Sequence, residues 1–336
     1  MAATIRRETI GTTAGHRGQK PTDVDAYTLD TGEGLAVVVW TYGAGLVEVL
    51  VPDREGRTGN VVVRLPDLDA YQDRAANPYV GSTVGRYCRC VADGRFRLDG
   101  VEHRLDRNDG AHHIHGGSLG FDRYVWEAEA EAERSDGLLS LRLRLDSPDG
   151  DQGYPGALRA EVRYQVSPDG SLAFEYRATT TASTLVGLTN HAFWNLAGGG
   201  LIDDHVLAVN SSRAVVFDDQ LIPVAGPPAD LTGSRLDHRV PKPVGDRKLD
   251  NCFLLDDPAW AAELHDPASG RTMRVVTDQP AVGVYSADGF TGRRRSGLCL
   301  ETGPLPDAPN RDDYPPVRLD PGETYRHRTV HHFSAR

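Results

Sequence analysis

A chain of 336 residues, 39% hydrophobic and 25% charged, with a formal charge of −11, can bury a large core, either as two ordinary domains or as one oversized β domain. Its Asp and Glu residues are scattered rather than run together, which argues against a phosphate-backbone partner, so no nucleic acid is expected. Arg6, Arg7, Glu8, Lys20, Asp23 and Asp25 leave no room for a signal peptide, and the longest apolar runs, such as Leu35 to Trp40, are strand-sized. No membrane association is therefore expected, and the location is expected to be cytoplasmic.

Taken in chain order, strands are predicted at 35–40, 46–51, 61–65 and 95–98, with a short helix at 68–74. Leu141, Leu143 and Leu145 alternate with Arg142 and Arg144, which puts the apolar side chains on one face of a half-buried strand. Leu158, Ala160, Val162, Tyr164 and Val166 repeat the pattern, and Leu172, Phe174, Tyr176 and Ala178 follow the Pro168-Asp169-Gly170 turn, so a hairpin is expected there. Further strands are predicted at 206–210, 272–277, 281–286, 298–301 and 324–333, with one more short helix at 258–264. The βαβ alternation of nucleotide-binding folds is missing, and no Ser/Gly or Pro-rich linker interrupts the pattern. One antiparallel sandwich domain spanning 1–336 is expected. Cys88, Cys90, Cys252 and Cys299 lack paired zinc spacing and read as reduced thiols.

Two segments more than a hundred residues apart carry chemistry. Thr189-Asn190-His191-Ala192-Phe193-Trp194-Asn195-Leu196 offers an imidazole among small and aromatic neighbours, and Leu300-Glu301-Thr302-Gly303 offers a carboxylate ending an apolar run. An imidazole and a carboxylate can together move protons in both directions near neutral pH. His112-His113-Ile114-His115 is a histidine cluster in which His113 and His115 share a face if the segment is extended. With no second spaced pair and no obvious carboxylate nearby, no metal is expected. No phosphate-cradling glycine loop and no flavin or nicotinamide signature is evident, so no cofactor of any kind is expected, only a small-molecule substrate. No oligomeric state is assigned.

Four segments stand in a telling order: Asn77-Pro78-Tyr79-Val80-Gly81 through Gly85-Arg86-Tyr87; His115-Gly116-Gly117 with Gly120-Phe121-Asp122 and Trp126; Thr189-Asn190-His191 with Asn195-Leu196; and Leu300-Glu301 with Pro306-Asp307-Ala308-Pro309-Asn310. In this order, and with Asp149 to Gly156 fitting as well, the chain resembles the aldose 1-epimerase (galactose mutarotase) family from about Gly43 to its last strand. The resemblance implies an all-β fold, a large antiparallel β-sandwich of the galactose mutarotase-like supersandwich type. It also implies that Glu301 is the general base on the anomeric hydroxyl and His191 the general acid on the ring oxygen, from opposite sides of one substrate. By the same resemblance His115 holds the ring-oxygen region and Asp250 binds substrate; Arg86, Arg89, Cys90 and His113 are the remaining candidates for substrate binding.

The departures from the family fall where hydroxyls should be held. The family's Gly-Arg-x-Ala-Asn-Arg-Ile is here Gly85-Arg86-Tyr87-Cys88-Arg89-Cys90-Val91, so Cys90 stands where a substrate-binding arginine is expected and Arg89 should face the other way in an extended segment. Gly283 and Gly303 stand where longer polar residues are common. Three changed grip positions favour a repurposed member that dehydrates or isomerises a hydroxylated specialised metabolite with the same acid and base. The alternative is an ordinary aldose 1-epimerase with a variant pocket. A non-catalytic carbohydrate-binding module has the weaker case, having no need of both His191 and Glu301.

Overall fold

The computed structural model describes residues 2–15, 19–131, 136–257 and 259–336. The alternation becomes sheet as expected: in Leu158–Ser167 the five apolar side chains are buried while the intervening Arg, Glu and Gln are not. That strand pairs with Ser171–Thr180 in a register closed by Ser167 opposite Ser171, which is the hairpin around Pro168-Asp169-Gly170. Nine strands form the largest sheet, in the order Lys242–Pro243, Val206–Val209, Ala262–His265, Arg271–Thr277, Tyr325–Ala335, Ser171–Thr180, Leu158–Ser167, Leu139–Ser147 and Glu127–Ala130. Six form a second sheet, Phe193–Trp194, Leu298–Gly303, Ala281–Tyr285, Asp250–Leu254, Arg213–Ala214 and Ala229–Asp230, and five from the first sixty residues form a third. Every ladder named between the strands of these three sheets is antiparallel.

The sheets share a core. Leu141, Val162 and Phe174 of the nine-stranded sheet, Val282 and Leu300 of the six-stranded sheet, and Val37 and Val49 of the third belong to one cluster of buried side chains, each contributing about 1.5–3 kcal/mol by leaving water. Trp194 on the six-stranded sheet lies 4.9 Å, ring centre to ring centre, from His331 on the nine-stranded one, and the chain is a large antiparallel sandwich.

Three expectations about elements change. The helix at 68–74 is present as Leu68–Gln72, capped by Asp67, whose carboxylate accepts from the Ala70 N–H. The apolar run 61–65 is not a ladder; it meets the sheet through a single bridge from Val62 to Trp194, its apolarity reflecting burial. The helix expected at 258–264 is a strand from Ala262, paired with Val206–Val209 on one side and Arg271–Thr277 on the other; Pro258 lies outside the described residues. All four cysteines are free thiols, as their spacing suggested. Among the described residues no helix is long and apolar enough to cross a membrane.

Candidate active site

The six-stranded sheet arranges the site by register. Asp250 stands opposite Tyr285 and Tyr285 opposite Cys299; on the next rung of the same face Cys252 stands opposite Gly283 and Gly283 opposite Glu301. These residues, apart from the buried Cys299, line a cavity of about 510 Å³. The other face turns inward. Thr302, one residue beyond Glu301, places its hydroxyl 2.6 Å from that of Thr329 on the nine-stranded sheet.

His191 enters from a short pairing of Thr189–Asn190 with Thr83–Val84. Its backbone is held on both sides: its N–H donates to the Ser82 carbonyl at 2.9 Å and its carbonyl accepts from the Gly81 N–H at 3.0 Å. The imidazole therefore has a defined place, with Nε2 3.5 Å from Glu301 Oε1 and Nδ1 3.6 Å from the Cys299 sulfur. Burial first, then the carboxylates of Glu301 and Asp250, push the Cys299 thiol well up, so it stays protonated.

His115 takes a left-handed backbone, φ 54°, uncommon for a residue with a Cβ and a mark of positions held by their surroundings. The next residue must be glycine: a Cβ at Gly116 would sit 1.8 Å from the Gly85 carbonyl oxygen. His115 Nδ1–H donates to the Cys88 carbonyl at 2.8 Å. Burial pulls the ring's pKa down to about 3, so it is neutral near pH 7 and its Nε2 is an acceptor. Tyr79 completes an aromatic corner, its ring 4.7 Å from His115 and 5.8 Å from His191.

Glu301 is buried, which by itself would raise its pKa, but His191, Arg89 and His115 outweigh this and hold it below the usual glutamate range. Of these only Arg89 is charged at every working pH. Its Nη1 lies 3.6 Å from Glu301 Oε2, while Nε donates to the Pro304 carbonyl at 3.1 Å and Nη2 to the Glu301 carbonyl at 2.6 Å. Asp250 is pushed upward, first by burial and further by Glu301, with Lys248 opposing.

His191, Glu301, His115, Asp250, Arg89 and Cys90 all line the cavity. Arg86 does not. Its guanidinium is spent on the loop at 147–156, donating to the carbonyls of Pro148, Pro155 and Gly156 and to the Ser147 hydroxyl, so it fixes that loop instead of facing the cavity. His113 is also displaced from the cavity: it is fully buried, Nδ1–H donates to the Asp106 carbonyl and Nε2 accepts from the Tyr154 hydroxyl. The expectation that Arg89 faces away from Cys90 fails because bends at 86, 88 and 89 break the period of two. Tyr79, Tyr285 and Cys252 were not anticipated at the cavity; for the last two the signal was the alternation along their strands, which puts them on the face of Asp250 and Gly283.

His115, His191 and Glu301 each place a possible ligand atom within 4.8 Å of the others, so it is this trio, and not His113 with His115, that could receive a metal ion. The Arg89 guanidinium beside Glu301 repels a dication from the same spot.

The sequence profile of the family described as aldose 1-epimerase matches residues 25–332. The chain is 35% identical to the galactose mutarotase of Bos taurus over 333 residues, spanning 93% of this chain and 94% of that protein. It is 30% identical to the aldose 1-epimerase of Escherichia coli (strain K12) over 335 residues, 92% and 94% of the two. Among solved structures it is similar to galactose 1-epimerase from Lactobacillus acidophilus NCFM, with a TM-score of 0.86, 26% identity and 99% of both chains covered. It is also similar to an aldose epimerase homologue from C. elegans, with a TM-score of 0.83, 27% identity and 90% and 96% covered.

Proposed function

The chain belongs to the aldose 1-epimerase family, and we propose that it interconverts the α and β anomers of an aldohexose, with Glu301 as base and His191 as acid. The observation that carries this is the 3.5 Å separation of His191 Nε2 and Glu301 Oε1 at the cavity wall. The anomeric hydroxyl and the ring oxygen of a sugar share one carbon, so a base and an acid this close together can reach both.

The steps balance without a co-reactant. Glu301 takes the proton of the anomeric hydroxyl, that oxygen's electron pair becomes a carbonyl, and the bond from the anomeric carbon to the ring oxygen breaks as His191 Nε2 gives it a proton. Rotation about the next carbon–carbon bond presents the other carbonyl face, and closure returns both protons. His115, an acceptor at Nε2, suits a sugar hydroxyl, and Asp250 suits another across the cavity.

Dehydration of a specialised metabolite, the leading expectation from the sequence, gains no support from the relatives, which bear epimerase and mutarotase names. One of the three changed positions behind it was a missing guanidinium at Cys90, and Arg89 brings one into the cavity. The protein should accelerate mutarotation of freshly dissolved α-D-galactose or α-D-glucose in a polarimeter. A rate equal to that of buffer with both sugars would overturn the proposal. Because Arg89 opposes a dication at the catalytic trio, activity should survive dialysis against a chelator. Loss restored by zinc or iron would move the chemistry to a metal held by His115, His191 and Glu301.

A further inference from the structure

We infer that Arg89, Gly283 and Gly303 are one unit, in which the two glycines exist to seat the guanidinium and Arg89 Nη1 donates to a hydroxyl of a neutral aldose. The last clause rests on the epimerase reading; the seating does not.

The backbone does not ask for glycine at either position. Both lie within strands, neither has a positive φ, and glycine in a strand interior weakens it. The space asks for it instead. A Cβ on Gly283 would stand 2.5 Å from Arg89 Nη1 and 3.2 Å from its Cζ, so even alanine would collide with the guanidinium. At Gly303 a Cβ would press on the Cys88 sulfur at 3.3 Å and come into contact with Arg89 Nη2 at 3.9 Å, so this glycine borders the same guanidinium less tightly. The changes at 283 and 303 are thereby tied to Arg89, the neighbour of the Cys90 that stands where an arginine was expected: two polar arms are given up and one rigid fork of donors takes their room.

The fork is aimed. Nε and Nη2 are fixed on the carbonyls of Pro304 and Glu301, and Nη1, at 3.6 Å from Glu301 Oε2, is beyond hydrogen-bond reach of it. Glu301 Oε2 itself is buried without a partner among the described residues. A substrate hydroxyl between the two would accept from Nη1 and donate to Oε2, satisfying both. The charge of the cavity sets the class of sugar. Arg89 is balanced by Glu301, Arg74 is paired with Asp122 at 2.5 Å, and the carboxylates of Asp250 and Asp109 outnumber the one charge that His191 carries when it holds the proton it donates. A sugar acid would meet that excess of negative charge; a neutral aldose would not.

The test is a cycle of Arg89→Ala, Gly283→Ala and the double variant, read in two ways. By thermal unfolding, Gly283→Ala should lower the midpoint with Arg89 present and have little or no such effect with Arg89→Ala; equal shifts in both backgrounds overturn the seating. By kinetics on galactose and galacturonate, Arg89→Ala should raise KM for galactose roughly ten- to hundredfold, the loss typical of a hydrogen bond from a charged donor, and should move the acid limb of the pH profile upward as Glu301 loses its permanent cation. An unchanged KM and limb in an active Arg89→Ala protein overturns the donor role while the epimerase reading stands. Galacturonate preferred over galactose overturns the neutral class. A wild-type chain inert toward every sugar, with a non-additive unfolding cycle, overturns the function and supports the seating.

Discussion

Replacing Glu301 by glutamine is expected to lower kcat for mutarotation by roughly two to four orders of magnitude, the range for removing a positioned proton acceptor. The amide keeps the shape of the carboxylate and leaves the Glu301 backbone carbonyl, which holds Arg89 Nη2, untouched. The fold should therefore persist, and circular dichroism with a thermal midpoint will show whether it does. The pH profile of the wild type carries the same assignment. Burial would raise the pKa of Glu301, but His191, Arg89 and His115 more than offset it. A carboxyl with a lowered pKa remains ionised at pH values where an ordinary glutamate begins to protonate, so activity should fall only as the pH drops through a value below the usual glutamate range. In Glu301→Gln that acid limb should vanish along with the rate. Wild-type kcat in a folded Glu301→Gln protein would remove Glu301 as the base.

Two of the strands that carry the site, those predicted at 281–286 and 298–301, were legible as short runs rich in apolar residues, whereas Asp250–Leu254, which opens on the polar pair Asp250-Asn251, was not read as a strand. His191 and Glu301 were legible as a pair from the residue types around them, although their 3.5 Å approach depends on the fold bringing together two segments 110 positions apart. What failed was reasoning that assumed extended chain where there is none. His113 and His115 would share a face in a strand, but the left-handed backbone at His115 turns the two rings apart, one into the core and one to the cavity. The bends between Arg86 and Arg89 have the same effect on Arg89 and Cys90. Arg86 was misplaced for another reason. An arginine that satisfies loop carbonyls and one that grips a substrate look alike in sequence, and only the loop at 147–156, folded against it, tells them apart. The strand at Ala262–His265 was hidden by local helix preference, which two flanking ladders override.

His191→Asn is expected to cost kcat about as much as Glu301→Gln, roughly two to four orders of magnitude, while His115→Ala chiefly raises KM. The two histidines are distinguished by which nitrogen can release a proton. In His115 the Nδ1–H is committed to the Cys88 carbonyl, and a pKa near 3, set chiefly by burial, leaves Nε2 bare at neutral pH, able to receive a hydrogen bond but with nothing to give. His191 has the opposite arrangement. Its Nε2 points at Glu301 and the cavity, and its Nδ1 faces a thiol that burial keeps protonated. A thiol can donate to a bare Nδ1 or accept from a protonated one, so the imidazole can gain and lose the Nε2 proton with no change in its neighbours. Asparagine at 191 preserves polarity and much of the volume but supplies no such proton. Polarimetric kcat and KM for both variants, with unfolding midpoints as the control for folding, decide the assignment. A His115→Ala protein that stays folded and loses kcat as severely as His191→Asn would mean that the acid is His115, and that its bond to Cys88 rearranges when sugar binds.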